Sequence, residues 1–303
     1  MKNRKIVIYI AAGFIASSLL LAFYFFLKKP ERIGSPILDE EKRAILFKDV
    51  RYFGEREGVV DWEITAKTAR KFLDRPEVQL ELLEGRYKPK AGITVAFKGM
   101  KGTMDIDKQK GVIEDVDILY RNEYTLKSPS MSFDFKNNIT STKSPVNVKG
   151  KKLTLTGIGL VANMKDETVR VERDVRGYID TEKAKFHFQS DAFFYNLKDS
   201  TYILDGKVVL KGQDMNMLCD KLYIFSRNEE PERIDAKGKV RLISKGTIAK
   251  SEKAVYYFNE DKVVFTESPR IFKDNVEMVG ESVIYSISNG KFSIQKPRMR
   301  MER

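Results

Sequence analysis

QSDAFFYNLKDSTYILDGKVVLKG, residues 189–212, holds two apolar alternations separated by a polar break. Phe193, Tyr195 and Leu197 form the first, Lys198-Asp199-Ser200 the break, and Tyr202 and Leu204 the second, which runs on to Gly206 and Val208. Side chains two apart along an extended chain share a face, so the stretch reads as a strand, a turn and a returning strand with one greasy face.

Laid against the chain from Ser190, the same unit recurs. GMKGTMDIDKQ begins at Gly99, SPSMSFDFKNN at Ser128, GIGLVANMKDE at Gly157, CDKLYIFSRNE at Cys219, SEKAVYYFNED at Ser251 and GESVIYSISNG at Gly280. The starts are 29, 29, 33, 29, 32 and 29 residues apart. The third and fifth residues after each start are mostly apolar: Met131 and Phe133, Leu160 and Ala162, Leu222 and Ile224, Ala254 and Tyr256, Val283 and Tyr285. About 17 residues in comes a small or rigid residue and then an apolar one, as in Pro145-Val146, Asp174-Val175, Gly206 to Val208, Gly238 to Val240 and Pro269 to Ile271. A period near 30 with two strands per period predicts a repetitive all-β structure with an elongated core. Phe135, Phe186, Phe188, Phe265 and Phe292 join the apolar face; core packing accounts for any one of them taken singly.

The start of the chain is different. Lys2, Arg4 and Lys5 precede an uncharged run from Ile6 to Leu27, closed by Lys28 and Lys29. As a helix that run would be about 33 Å long, enough to cross a bilayer core. It is longer than a signal-peptide core needs and ends in Phe-Tyr-Phe-Phe-Leu rather than small residues, which favours an uncleaved anchor over a cleaved signal. Ile6, Ile10, Phe14, Leu20, Phe25 and Leu27 are its expected anchor residues, and the leading positive charge favours an N-terminus in the cytoplasm. Residues 1–29 are thus a cytoplasmic tip and anchor, and residues 30–44, with Pro30, Gly34, Ser35 and Pro36, a polar stalk. Strands are expected from Ile45 on, with Trp62, Ile64 and Ala66 sharing one face and Val78, Leu80 and Leu82 another alternation. Ala66 to Leu73 has room for a turn or two of helix.

Catalytic constellations are missing. His187 is the only histidine, set between Phe186 and Phe188 so that alternation points it outward, and Cys219 is the only cysteine. That excludes a zinc set and an internal disulfide, and no phosphate-binding loop is present. Asp105, Asp107 and Gly111 mimic the start of a calcium loop, but Gln109 and the glycine offset break it. The net charge of +12 is spread along the chain, which speaks for solubility rather than nucleic-acid binding. No enzyme, cofactor or metal is expected.

The order and spacing of several segments resemble a known family. The anchor, the stalk, Trp62-x-Ile64-x-Ala66-x-x-Ala69, Leu126-Lys-Ser-Pro-Ser-Met-Ser-Phe-Asp, Ser144-Pro-Val and Leu155-Thr-Gly-Ile-Gly-Leu resemble LptC, the membrane-anchored member of the Gram-negative lipopolysaccharide export bridge. Asp191-Ala-Phe-Phe-Tyr, Leu204-Asp-Gly-Lys-Val, Ile234-Asp-Ala-Lys-Gly-Lys-Val and Ala254-Val-Tyr-Tyr resemble the LptA or OstA-like bridge domain. Residues 45–180 are therefore expected to be LptC-like and 181–303 an LptA-like continuation.

The resemblance implies an open, V-shaped antiparallel β-jellyroll whose interior carries lipid acyl chains. It implies lipopolysaccharide as cargo, the LptBFG inner-membrane transporter as donor, and LptA or LptD as the next acceptor. On that reading the inner wall is formed by Met131, Phe133, Phe135, Leu160, Phe186 and Phe188, then Phe193, Tyr195, Tyr202, Leu204, Leu222 and Ile224, and finally Tyr256, Phe265, Tyr285 and Phe292. Docking edges fall at Phe47 and Val50 near the start and at Val283 and Ile294 near the end, because exposed strand edges accept further strands. Lys127, Lys149, Lys151 and Lys152 are candidates for lipid phosphates. A parallel β-helix enzyme or adhesin would want clustered acids and stacked Asn or Gly turns, which are not evident; a structural envelope stalk would share the anchor and the repeat.

Overall fold

The computed structural model describes residues 37–39, 43–56, 59–90, 93–134, 136–182, 184–227, 230–274 and 276–301. The anchor residues Ile6, Ile10, Phe14, Leu20, Phe25 and Leu27 lie outside them, as does Phe135. Among the described residues no helix is long and apolar enough to cross a membrane.

Every described element is a strand, and all pairings are antiparallel. The first part runs β1 (Ile37–Asp39), β2 (Ala44–Arg56), β3 (Val59–Phe72), β4 (Glu77–Lys90), β5 (Ile93–Asp105), β6 (Lys110–Tyr120), β7 (Tyr124–Asp134) and β8 (Ile139–Lys149). The middle is β9 (Leu153–Asn163), β10 (Thr168–Asp180), β11 (Lys185–Ser190), β12 (Ala192–Asn196), β13 (Thr201–Lys211), β14 (Asn216–Arg227), β15 (Glu230–Ser244) and β16 (Thr247–Tyr257). The end is β17 (Lys262–Thr266), β18 (Arg270–Lys273), β19 (Val276–Val279), β20 (Ser282–Ser286), β21 (Phe292–Gln295) and β22 (Arg298–Met301). They join into one sheet of 22 strands in which almost every strand pairs with its sequence neighbours. The ladder passes residue 180 without a break, since β10 pairs with β9 on one side and with β11 and β12 on the other.

The repeat marks a crease. Left-handed residues sit midway along β2, β4, β6, β10, β13 and β15, at Asp49, Leu82, Asp115, Asp174, Lys207 and Lys239, and again at Ser268 and Lys296 where the chain steps between short strands. Register shifts accompany them between Arg173 and Arg176, Asp205 and Val208, and Lys237 and Val240. An extra left-handed residue bends its strand, so aligned bulges fold one sheet into two leaves. The intervening strands meet this line with the small residues that open each repeat. A Cβ at Gly157 would lie 2.5 Å from Val171 Cγ1 and 3.0 Å from the Arg173 carbonyl, so nothing larger than glycine fits. Ser128, Ser190 and Ser251 are buried there, and each hydroxyl donates to the carbonyl two residues on, at 3.0, 2.8 and 2.7 Å.

Three local expectations change. Ala66 to Leu73 is not helical, because β3 continues through it between β2 and β4. Strand structure begins before Ile45: β1 at Ile37–Asp39 lies within the expected stalk and pairs with β2, whose first residue Ala44 is fully buried. Leu82 does not share a face with Leu80: its left-handed backbone (φ 50°) shifts the alternation, leaving Leu82 exposed and Leu83 buried.

Candidate functional site

The inner face of the creased sheet is apolar along its whole length, but its two ends differ. From Val146 to Ile287 the facing leaves pack on one another in a continuous core that includes Leu155, Leu160, Leu204, Leu222, Ile224 and Phe265, each almost wholly removed from solvent. In the N-terminal part the buried cluster is limited to Ala66, Leu83, Ile113, Val116 and Met131. Leu80, Phe97, Ile118 and Phe133 lean against it while remaining half-exposed.

Most of the expected wall residues fall on this inner face. Met131, Leu160, Phe186, Phe188, Phe193 and Tyr202 are buried, and so are Leu204, Leu222, Ile224, Tyr256, Phe265 and Tyr285. Phe133, Tyr195 and Phe292 are half-buried. Aromatic contacts link several of them: Phe188 stacks on Phe193 across the crease at 6.5 Å between ring centres, and Tyr195 stacks on its cross-strand partner Tyr202 at 4.5 Å. Half-buried Phe97 meets Phe133 at 5.9 Å. Burial pushes the Tyr202 hydroxyl far above the usual tyrosine range, and Tyr256 up to about 12.

The leaves also touch at their free tips, opposite the crease. Lys152, in the turn after β8, forms an ion pair with Glu230 at the start of β15, and this contact raises the lysine pKa. Phe186 on β11 meets Phe258, just past β16, edge to face at 5.4 Å. Tyr124 at the start of β7 comes near Tyr202, whose hydroxyl pKa it helps to raise, and Tyr202 stacks on Tyr195. Nearer the C-terminus the Tyr285 hydroxyl donates to the Ser244 carbonyl at 3.2 Å, and Lys245 donates to the carbonyl of Ser288. Apart from Tyr195 and Tyr202, which are cross-strand partners, none of these pairs is adjacent in the ladder, so the contacts close the mouth between the leaves. Sequence reasoning missed them because they join distant turns that share no local pattern.

The expected docking positions divide. Beyond Leu46, β2 pairs only with β3, which places Phe47 and Val50, both half-buried, on an outermost strand. Ile294 lies on β21, which pairs only with β20. Val283 is corrected: it is fully buried on β20, hydrogen-bonded to β17 on one side and β21 on the other, so it belongs to the core. Of the lysines considered for phosphates, Lys127 is engaged by Asp117 at 3.0 Å and Lys152 by Glu230, leaving Lys149 and Lys151 exposed.

The remaining polar candidates are structural. His187 is exposed on β11, its ring 5.9 Å from that of its cross-strand partner Tyr178. Cys219 is buried at the crease, and desolvation pushes its thiol up to about 12, which makes it unreactive in the folded state. Asp105 accepts hydrogen bonds from the backbone and side chain of Lys108 at 2.9 and 2.7 Å, so the calcium-like stretch is a turn capped by its own lysine. No cluster of metal-ligating side chains is found among the described residues.

Comparison with known proteins finds two family matches along the chain. The family described as lipopolysaccharide-assembly, LptC-related, matches residues 14–180, and the LptA/(LptD N-terminal domain) LPS transport protein family matches residues 187–291. No relative is found among curated proteins. Among solved structures, LptH of Pseudomonas aeruginosa, described as the LptA-homologous periplasmic component of the lipopolysaccharide transport device, aligns at 14% identity and a TM-score of 0.36, covering 39% of this chain and 95% of its own. An LptC match over more than half the chain, followed by an LptA-like match on the same unbroken sheet, places it: the chain belongs to the LptC family of lipopolysaccharide-assembly proteins and carries an LptA-like continuation.

Proposed function

We propose that this chain is a non-enzymatic component of the lipopolysaccharide export bridge, binding the acyl chains of its cargo along the apolar inner face. The observation that carries this reading is continuity: one creased sheet keeps one apolar face inward from the LptC-like residues 45–180 through the LptA-like residues 181–303. Moving a fourteen-carbon acyl chain through water would cost roughly 10 kcal/mol at about 0.8 kcal/mol per methylene. A continuous apolar wall removes most of that barrier.

In this reading residues 1–29 anchor the chain once in the inner membrane, residues 30–44 are a stalk, and the sheet stands in the periplasm. The β2 edge at Phe47 and Val50 receives lipid from the LptBFG transporter, and the β21 edge at Ile294 passes it to LptA or LptD. Strand addition to such edges supplies main-chain hydrogen bonds without new side-chain chemistry. The direction of transport comes from an ATPase elsewhere in the assembly.

Photocrosslinking in cells tests the reading, with a photoreactive residue at inward Phe97 and a matched one at outward Lys98. Lipopolysaccharide adducts from position 97 and not from 98 are the expected result. The packed core between Val146 and Ile287 favours a second reading, a dry structural stalk. Absence of lipid adducts from Phe97, Phe133 and Tyr195 alike would establish that one instead.

A further inference from the structure

The two ends of the inner face stand in different states within one molecule. At the N-terminal end Leu80, Phe97, Ile118 and Phe133 are half-exposed, ready to receive an apolar chain. From Val146 on, the same face is packed shut, and the closed region is bounded by the contacts between turn tips. The first of these is at Tyr202, stacked on Tyr195 at 4.5 Å and approached by Tyr124, and the next is Lys152 with Glu230.

The closed state carries a local deficit. Ser244 and Thr247 flank the tight turn at Lys245 and Gly246, and both are buried. Neither side-chain hydroxyl has a hydrogen-bond partner. A buried hydroxyl without a partner destabilises the state that buries it, so separation of the tips would let water satisfy both. The ion pair itself is partly exposed and screened, as suits a contact that must break and remake.

Resting on the transport reading, we propose that Lys152 and Glu230, with the neighbouring tyrosine group, form a latch that divides the lipid path. Upstream of it the wall accepts acyl chains at rest; downstream, lipid enters only after the tips part. The residues act by controlling access to the inner face rather than by touching the cargo's reactive groups. An acyl chain entering from the open end replaces leaf-to-leaf apolar contacts with lipid-to-leaf ones, so the opened core loses little of its burial.

A first test needs no lipid. In the full chain, Lys152→Glu sets two acids against each other at a partly exposed position and should speed modification of the buried Cys219 thiol by ~10-fold, the rate reporting local opening. An unchanged rate, with Lys152→Ala also unchanged, overturns the latch. A second test fixes the tips: Lys152→Cys and Glu230→Cys in a Cys219→Ser background, joined by a short bis-maleimide. Purified lipopolysaccharide is then presented to chains carrying a photoreactive residue at Phe97 or at Tyr256. The latch predicts that the joined chain keeps labelling at 97 and loses most of it at 256, while the unjoined chain labels at both. Equal labelling at 256 with the tips joined overturns the latch. Absence of labelling at 97 in the unjoined chain instead overturns the lipid-binding reading, so the two failures are distinct.

Discussion

The Ser190 hydroxyl donates to the carbonyl of Ala192 at 2.8 Å, closing a short ring at the point where β11 gives way to β12. Ser128 and Ser251 repeat the contact on other strands, and Cys219 occupies the equivalent place on β14. Where a serine opens the repeat, the crease is held by a small side chain that returns to its own backbone.

Cys219→Ser should consequently be tolerated, with a loss under about 1 kcal/mol, because the serine hydroxyl can make the bond its counterparts make. Cys219→Leu should cost about 1–3 kcal/mol by overpacking the bend. Urea unfolding of the two variants side by side checks the contrast.

Glycine at 177 faces the neighbouring backbone as well as the Phe188 ring, whose Cζ would lie 2.7 Å from a Cβ there. A Cβ there would sit 2.2 Å from the Thr154 carbonyl oxygen and 2.9 Å from Leu155 Cβ. Gly177→Ala should destabilise by about 1–3 kcal/mol, since the neighbouring strand must shift to admit one methyl group. Thermal unfolding monitored in the β-sheet circular dichroism band gives the measurement.

The unequal packing of the two ends has an energetic signature. Phe265 is fully buried, so Phe265→Ala should cost about 3–5 kcal/mol. Phe97 is half-exposed, and Phe97→Ala should cost well under half as much. Similar costs at both positions would mean that the N-terminal face is as tightly packed in solution as the C-terminal one.

Acid and alkali act at different places. Asp134 is held at about 2, first by the Asn137 side chain at 2.9 Å and then by Lys110 at 3.0 Å. A depressed carboxylate stabilises the fold above its unfolded value of 3.8, and that contribution fades as pH falls from 3.8 towards 2. Cys219 and Tyr256 both rise to about 12, from 9.0 and 10.0. Between those values the unfolded chain loses protons that the folded chain keeps, so stability falls as pH rises from 9 towards 12. Denaturation midpoints across both ranges should show losses at each end, and Cys219→Ser should soften the alkaline one.

The repeat was legible because each hairpin returns to the same crease, forcing a small residue there and an apolar pair just beyond it. Met131, Phe193 and Tyr256 could be placed inward on that ground, and they are buried. Leu82 could not, since nothing in a leucine announces a left-handed backbone that inverts the alternation. Val283 shows another limit: core and edge strands carry the same period-two pattern, and only the ladder order reveals that β21 lies outside β20. Burial depth was illegible for a related reason. Leu80 and Phe97 alternate as cleanly as Leu222 and Ile224, but exposure depends on whether another leaf stands opposite.

Because one sheet runs from β2 to β22 with its strands stacked side by side, the protein works as a ruler whose graduations are hairpins. Each repeat contributes two strands, hence about 10 Å along the stack at roughly 4.8 Å per strand. Reach is then set by how many units the gene encodes, and deleting one, such as residues 219–250, would shorten the span by one graduation while leaving the crease aligned on either side.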